Sequence, residues 1–138
     1  MIILDTNVIS ALMREAPDPR VKAWISRQKS IYLGSTTVTI AEIQRGLARL
    51  LVGKRRSQLT ASFANFVAEA FSGRIYTFDE DAAWLYGDIA AKCESEGINT
   101  DAVDLMIAVI AKSHNAAIAT RNTKDFVGCG IEIINPWK

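Results

Sequence analysis

Apolar residues in this chain alternate between two patterns. Short, nearly unbroken blocks recur at Ile2-Ile3-Leu4, Ile31-Tyr32-Leu33, Ile75-Tyr76, Ala117-Ile118-Ala119 and Ile131–Ile134. Blocks of this length, rich in β-branched residues and bounded by turn formers, predict buried strands over 2–5, 31–34, 74–78, 117–120 and 131–134. Between them, apolar positions recur every three or four residues. Val8, Ile9, Leu12 and Met13 predict a helix over 7–14. Asp18-Pro19 is a helix start, with Val21, Trp24 and Ile25 as the inner face. A helix beginning near Thr37 to Thr39 carries Ile40, Ile43, Leu47, Leu50 and Leu51 and is expected to end at Gly53. Further helices are expected over 55–71, with Leu59, Phe63, Phe66 and Val67 inward, and over 79–95, stopped by Gly97. The stretch 102–113 is apolar almost all round and reads as a central, buried helix. Strand and helix alternate, so the expected fold is α/β, with a mostly parallel central sheet flanked by helices. No repeat or linker interrupts it, and one domain over 1–138 is expected.

Composition narrows the function. A length of 138 residues suits one core, and 49% hydrophobic with 22% charged residues is ordinary for a compact protein. A net charge of +1 excludes a strong global field, so any nucleic-acid contact must rest on a local patch. Cys93 and Cys129 are isolated and read as free, buried thiols of a reducing cytoplasm. Asp5 interrupts the first apolar block, so no signal peptide is expected. No run approaches the roughly 18 apolar residues of a spanning helix. The chain is expected to act in the cytoplasm, without a membrane.

The chemistry lies in four acids at punctuation points. Asp5 ends the first strand, where open α/β sheets place their ligands. Taken alone it is equally an N-cap for the next helix. Glu42 lies in Thr39-Ile40-Ala41-Glu42-Ile43, near the start of the helix after the second strand, and alone it reads as a surface glutamate. Thr36, Thr37 and Thr39 suggest a polar rim facing Asp5. Asp104 opens the apolar helix, where an ionised carboxylate is costly unless paired or metal-bound. Asp101 is placed to be the N-cap, leaving Asp104 to point inward. Asp125 follows the fourth strand after Thr120-Arg121-Asn122-Thr123-Lys124, and alone reads as a turn residue. Brought to one sheet edge, four acids repel one another, and a divalent cation relieves the repulsion. Mg²⁺ keeps several waters, so two or three carboxylates suffice to hold it. Thr6 and Asn7 are small polar groups at the same turn, and Asn122 is another at the fourth strand's rim. The chemistry expected is metal-assisted phosphodiester hydrolysis.

The segments Leu4-Asp5-Thr6-Asn7-Val8, Thr39-Ile40-Ala41-Glu42-Ile43 with Gly46, Asp104-Leu105-Met106-Ile107-Ala108, Ala119-Thr120-Arg121-Asn122-Thr123-Lys124-Asp125-Phe126 and Asn135-Pro136-Trp137 run the length of the chain. In that order and spacing the chain resembles the PIN-domain ribonucleases, specifically the VapC-type toxins of bacterial toxin–antitoxin pairs, of the FitB-like branch. The resemblance implies a compact α/β/α fold and a Mg²⁺-dependent endoribonuclease, with Mn²⁺ as a substitute. It implies Asp5, Glu42 and Asp104 as the acidic, metal-holding core. Relatives differ on the fourth acid: some carry it where Asn122 stands, others where Asp125 stands. Asp125 is taken as the fourth catalytic acid, with Asn122, Thr6, Asn7 and Thr120 as supporting polar groups. The resemblance also implies a homodimer, a cognate antitoxin whose C-terminal arm covers the acidic site, a heterotetramer or larger complex with it, and promoter DNA bound only through that complex.

Lys54-Arg55-Arg56 is a local basic run, and with Arg45 and Arg121 it supplies candidate RNA contacts. Arg121 is equally a candidate partner for one of the acids. Trp24, Trp84, Trp137 and Phe78 read as core or dimer-interface residues, and His114 as structural or exposed. Three other functions are weighed. One is a catalytically silent PIN-like module binding RNA or protein. Another is a phosphoacceptor receiver using Asp79, with Thr120 as its switch hydroxyl. A third is an aspartyl phosphatase, which wants a second Asp where Asn7 stands.

Overall fold

The computed structural model describes residues 1–138. Five strands, β1 (Ile2–Leu4), β2 (Leu33–Thr36), β3 (Ile75–Tyr76), β4 (Ala117–Ala119) and β5 (Ile133–Ile134), form one sheet in the order β3-β2-β1-β4-β5. Every pairing is parallel. The helices are α1 (Thr6–Leu12), α2 (Pro19–Ser26), α3 (Thr37–Ala48), α4 (Lys54–Phe71), α5 (Glu80–Ser95) and α6 (Ala102–Ser113).

Strand alternation sorts the core into two layers. Ile3 and Ile118 face α5 and α6, packing with Ala82, Ile89 and the Leu105–Ala111 stretch. Their neighbours Leu4 and Ala119 face the other way, into Val8, Ile9, Val21, Ile43, Leu47, Phe63 and Phe71 from α1 to α4. The result is an α/β/α sandwich. The chain runs outward from β1 through β2 to β3, then crosses back to β4 and β5 on the other side. The strand order therefore reverses between β1 and β4, and the carboxyl ends of those two strands flank the crevice where open α/β sheets bind ligands.

Strands β3 and β5 are shorter than the 74–78 and 131–134 expected, α1 ends at Leu12 rather than 14, and two further boundaries are displaced. Ile31 and Tyr32 lie not in a strand but in a 3₁₀ turn (Ser30–Tyr32), and they are 61% and 52% exposed. The strand sits further along and buries Ser35 and Thr36 instead. Burial of these polar residues is tolerated because their hydroxyls are satisfied: Ser35 Oγ donates to Leu4 O at 2.9 Å, and Thr36 Oγ1 to Thr39 Oγ1 at 3.0 Å. Gly34 is needed in this strand, since a Cβ there would lie 2.8 Å from Arg74 O. The helix expected to reach Gly53 ends at Ala48. Leu50 and Leu51 are outside it and exposed, and Gly53 instead precedes α4. Gly97 follows the end of α5 at a φ of 70°, where glycine is favoured. His114 caps the C-terminal end of α6, is exposed, and packs on Tyr76 with ring centroids 4.3 Å apart.

Candidate metal and active site

Asp5 leaves β1 at the crevice and is 4% exposed. Its carboxylate is held from both sides. Thr6 N–H donates to Oδ1 at 2.8 Å, and Thr120 Oγ1 donates to Oδ2 at 2.8 Å. Asp5 is thus an N-cap for α1 and also bound to the residue that follows β4. The Thr120 hydroxyl is fully used, because it also accepts from Asn7 Nδ2 at 3.2 Å and from Asn122 N–H at 3.1 Å. Asn7 Oδ1 accepts the Arg121 N–H at 3.1 Å. These bonds join the β1–α1 turn to the segment after β4. Burial raises the Asp5 pKa, the bonds from Thr120 and Thr6 oppose the rise, and the Asp125 charge adds to it.

Glu42 projects from α3 and is exposed, with Oε1 accepting a hydrogen bond from Thr6 Oγ1 at 2.8 Å. Thr36 and Thr39 do not form the polar rim expected beside it. They are buried and bonded to each other, with Thr36 capping α3. Asp101 caps α6, accepting from Val103 and Asp104 N–H at 3.1 Å each. That leaves the half-buried Asp104 carboxyl free in the first turn. Its pKa is pushed up to about 7, first by burial and then by the charges of Asp5, Asp101, Asp125 and Glu42. Asp125 lies half-buried in a 3₁₀ turn, Thr123–Phe126. Its charge acts on both Asp5 and Asp104, whereas Asn122 contributes its backbone N–H to Thr120.

The four acids come from four separate segments; the charges of the other three act on Asp104, and that of Asp125 acts on Asp5. The one ion pair in the chain, Arg20 with Asp18, is elsewhere, so none of the four has a cationic partner. They do not form a closed cage, since no three acid, His or Cys side chains stand in ligating geometry about one point. An all-oxygen, uncompensated and open donor set fits a hard cation that retains its own waters.

The basic candidates separate. Arg55 lines a groove of about 820 Å³ between α1, α3 and α4 that opens beside Thr6 and Glu42. Arg45, Lys54 and Arg56 do not line it. Arg14 does, from just beyond the end of α1, and it was not among the expected contacts. The Arg121 guanidinium carbon lies 5.1 Å from the centroid of the Trp137 ring, and Arg121 pairs with none of the acids. Trp137 is buried, whereas Trp84 is 71% exposed. Asp79 caps α5 through Ala82 N–H, and the Thr120 hydroxyl is held by Asp5, Asn7 and Asn122.

The PIN domain family matches residues 2–127 of this parallel α/β/α sandwich. The chain belongs to the PIN-domain family. It is 41% identical over 138 residues to the VapC ribonuclease Y4jK of Sinorhizobium fredii, covering 100% of this chain and 99% of that protein. It is 38% identical over 139 residues to Toxin FitB of Neisseria gonorrhoeae, covering 99% of each. The solved structure of FitAcB from Neisseria gonorrhoeae superposes with a TM-score of 0.93 at 37% identity over 99% of both chains. A structure of FitAB bound to an IR36 DNA fragment gives the same score and identity over 100% of this chain and 96% of that one. No helix is long and apolar enough to cross a membrane.

Proposed function

We propose that this protein is a Mg²⁺-dependent endoribonuclease and the toxin of a toxin–antitoxin pair, acting in the cytoplasm. The observation that carries the reading is the Asp5 carboxylate held by Thr6 and Thr120 at the β1–β4 switch point, with Glu42 tied to the same Thr6, Asp104 under the charges of Asp5, Asp125 and Glu42, and no ion pair to any of them. Asp5, Asp104 and Glu42 would hold the metal, and Asp125 completes the catalytic acids. Mg²⁺ bound there, or Mn²⁺ in its place, supplies Lewis-acid polarisation of a phosphoryl oxygen and a more acidic water.

The chain's own residues set the geometry. Thr120 fixes Asp5 Oδ2, and Thr6 fixes Asp5 Oδ1 through its backbone and Glu42 through its hydroxyl. Each carboxylate thus keeps one orientation and leaves its remaining lone pairs to the site. Asn7 ties Thr120 and the Arg121 backbone to α1, and Asn122 holds the Thr120 oxygen. Arg55 lies along the groove that leads from Glu42, and Arg121 follows Thr120, so both are placed for RNA phosphates flanking the cleaved bond. Arg45, Lys54 and Arg56 extend the basic surface.

The likeness to VapC ribonuclease and Toxin FitB supports the toxin reading. The FitAB structures, one of them on DNA, support a cognate antitoxin as partner and promoter DNA reached through that complex. A homodimer, assembled with antitoxin into a heterotetramer or larger, completes the proposal. Induced expression in a bacterial host tests it: growth should stop for the wild type and continue for Asp5→Asn and Asp104→Asn, with all three proteins folded. Equal toxicity of both variants and the wild type would contradict it.

A further inference from the structure

Arg121 is a cation beside an acidic cluster that does not neutralise it. Its backbone N–H is tied to Asn7 Oδ1, one residue from the hydroxyl that holds Asp5. Its side chain forms no ion pair and no hydrogen bond; its guanidinium lies over the Trp137 ring, 5.1 Å from the centroid. Uncompensated acids draw a free cation onto themselves, and the quadrupole of an indole face is a competing attraction. Trp137 is fixed in turn. Its ring is buried in the layer that holds Leu4, Val8, Ile9 and Ala119, and its backbone N–H donates to Asn135 Oδ1 at 2.9 Å. A guanidinium held over a ring keeps its N–H donors unspent.

We propose that Trp137 is a positioning residue: it holds Arg121 off the carboxylates and ready for a phosphate of single-stranded RNA next to the cleaved bond. The identity of the ligand rests on the nuclease reading above; the coupling of the two residues does not. It makes the C-terminal Asn135-Pro136-Trp137 segment part of substrate binding rather than only a tie for the chain end.

A double-mutant cycle on the full chain tests it, with wild type, Arg121→Gln, Trp137→Leu and the double variant. Trp137→Phe serves as the conservative control, and Trp137→Met replaces Trp137→Leu if the latter melts below the assay temperature. Two quantities are read: KM and kcat for cleavage, and binding of the same labelled single-stranded RNA with Ca²⁺ in place of Mg²⁺. Arg121→Gln should weaken binding and raise KM about tenfold, as loss of a charge-assisted bond does. Trp137→Leu should do so about two- to fivefold, with kcat unchanged. Trp137→Phe should stay near wild type. In the Arg121→Gln background, Trp137→Leu should add nothing. Losses that multiply, or a folded Trp137→Leu that binds like wild type, overturn the proposal. A coupled cycle in binding without any cleavage would remove the nuclease reading and leave the pair standing; a wild type that neither binds nor cleaves would remove both.

Discussion

Thr120 Oγ1 donates to Asp5 Oδ2 at 2.8 Å, joining residues 115 apart in sequence at the ends of adjacent parallel strands. The same oxygen accepts from Asn7 and Asn122, so one buried hydroxyl orients the central carboxylate and binds two segments together. Thr120→Val removes all three bonds while keeping the shape. It should cost about 1–3 kcal/mol of stability in urea melts, the penalty of polar groups left unpaired. It should also weaken Mg²⁺ binding about 10–100-fold, as loss of an outer-shell partner does. Thr120→Ser should restore both; a valine variant that binds metal like wild type would contradict the role.

Asp104 gives the metal-free protein a pH dependence of definite sign. Its folded pKa is raised to about 7, above its unfolded value, so the folded state holds the extra proton. The stability this contributes is full below the unfolded pKa near 4 and is lost as pH rises through about 7. Without metal, Tm should therefore fall between pH 5 and pH 8. Mg²⁺ should raise Tm more at pH 8, where the acids are charged, than at pH 5. Asp104→Asn should flatten the metal-free slope. A metal-free Tm that climbs steadily from pH 5 to pH 8 would contradict this.

Asp125 and Asn122 should separate cleanly. The Asp125 charge acts on Asp5 and Asp104, while the Asn122 contribution is a backbone N–H that any side chain preserves. Asp125→Asn should slow cleavage on the order of 10–100-fold, and Asn122→Ala should leave it near wild type. The reverse ranking would move the fourth site position to Asn122.

The basic run should not act as a unit. Arg55 lines the groove beside Glu42 and Lys54 does not. Arg55→Gln should lower the salt dependence of RNA binding by about 0.7, one phosphate contact on a single strand. Lys54→Gln should leave it unchanged, and equal slopes for both would show that the groove is not the RNA path.

The sequence made the sheet and its acids legible because both leave local marks. Apolar blocks located four of the five strands and the edge of β2, and Asp5 and Asp104 stood at a strand end and a helix start. The Asp101 cap followed from spacing alone. What was illegible depends on contacts across the fold. Ser35 and Thr36 could not be read as strand residues, because their hydroxyls find partners only after folding. Ile31, Leu50 and Leu51 read as inward because apolar character carries no information on which segment ends early. The Arg121–Trp137 stack joins residues on separate segments, and Arg14 gains meaning only from the groove that α3 and α4 build opposite it.

The most direct measurement is cleavage of total cellular RNA by purified wild type and Asp5→Asn, each with Mg²⁺ and with EDTA, after any copurified antitoxin has been removed by denaturation and refolding. Discrete fragments should appear from wild type with Mg²⁺ alone. Fragments that persist in EDTA, or that Asp5→Asn produces at the wild-type rate, would contradict a metal site centred on Asp5.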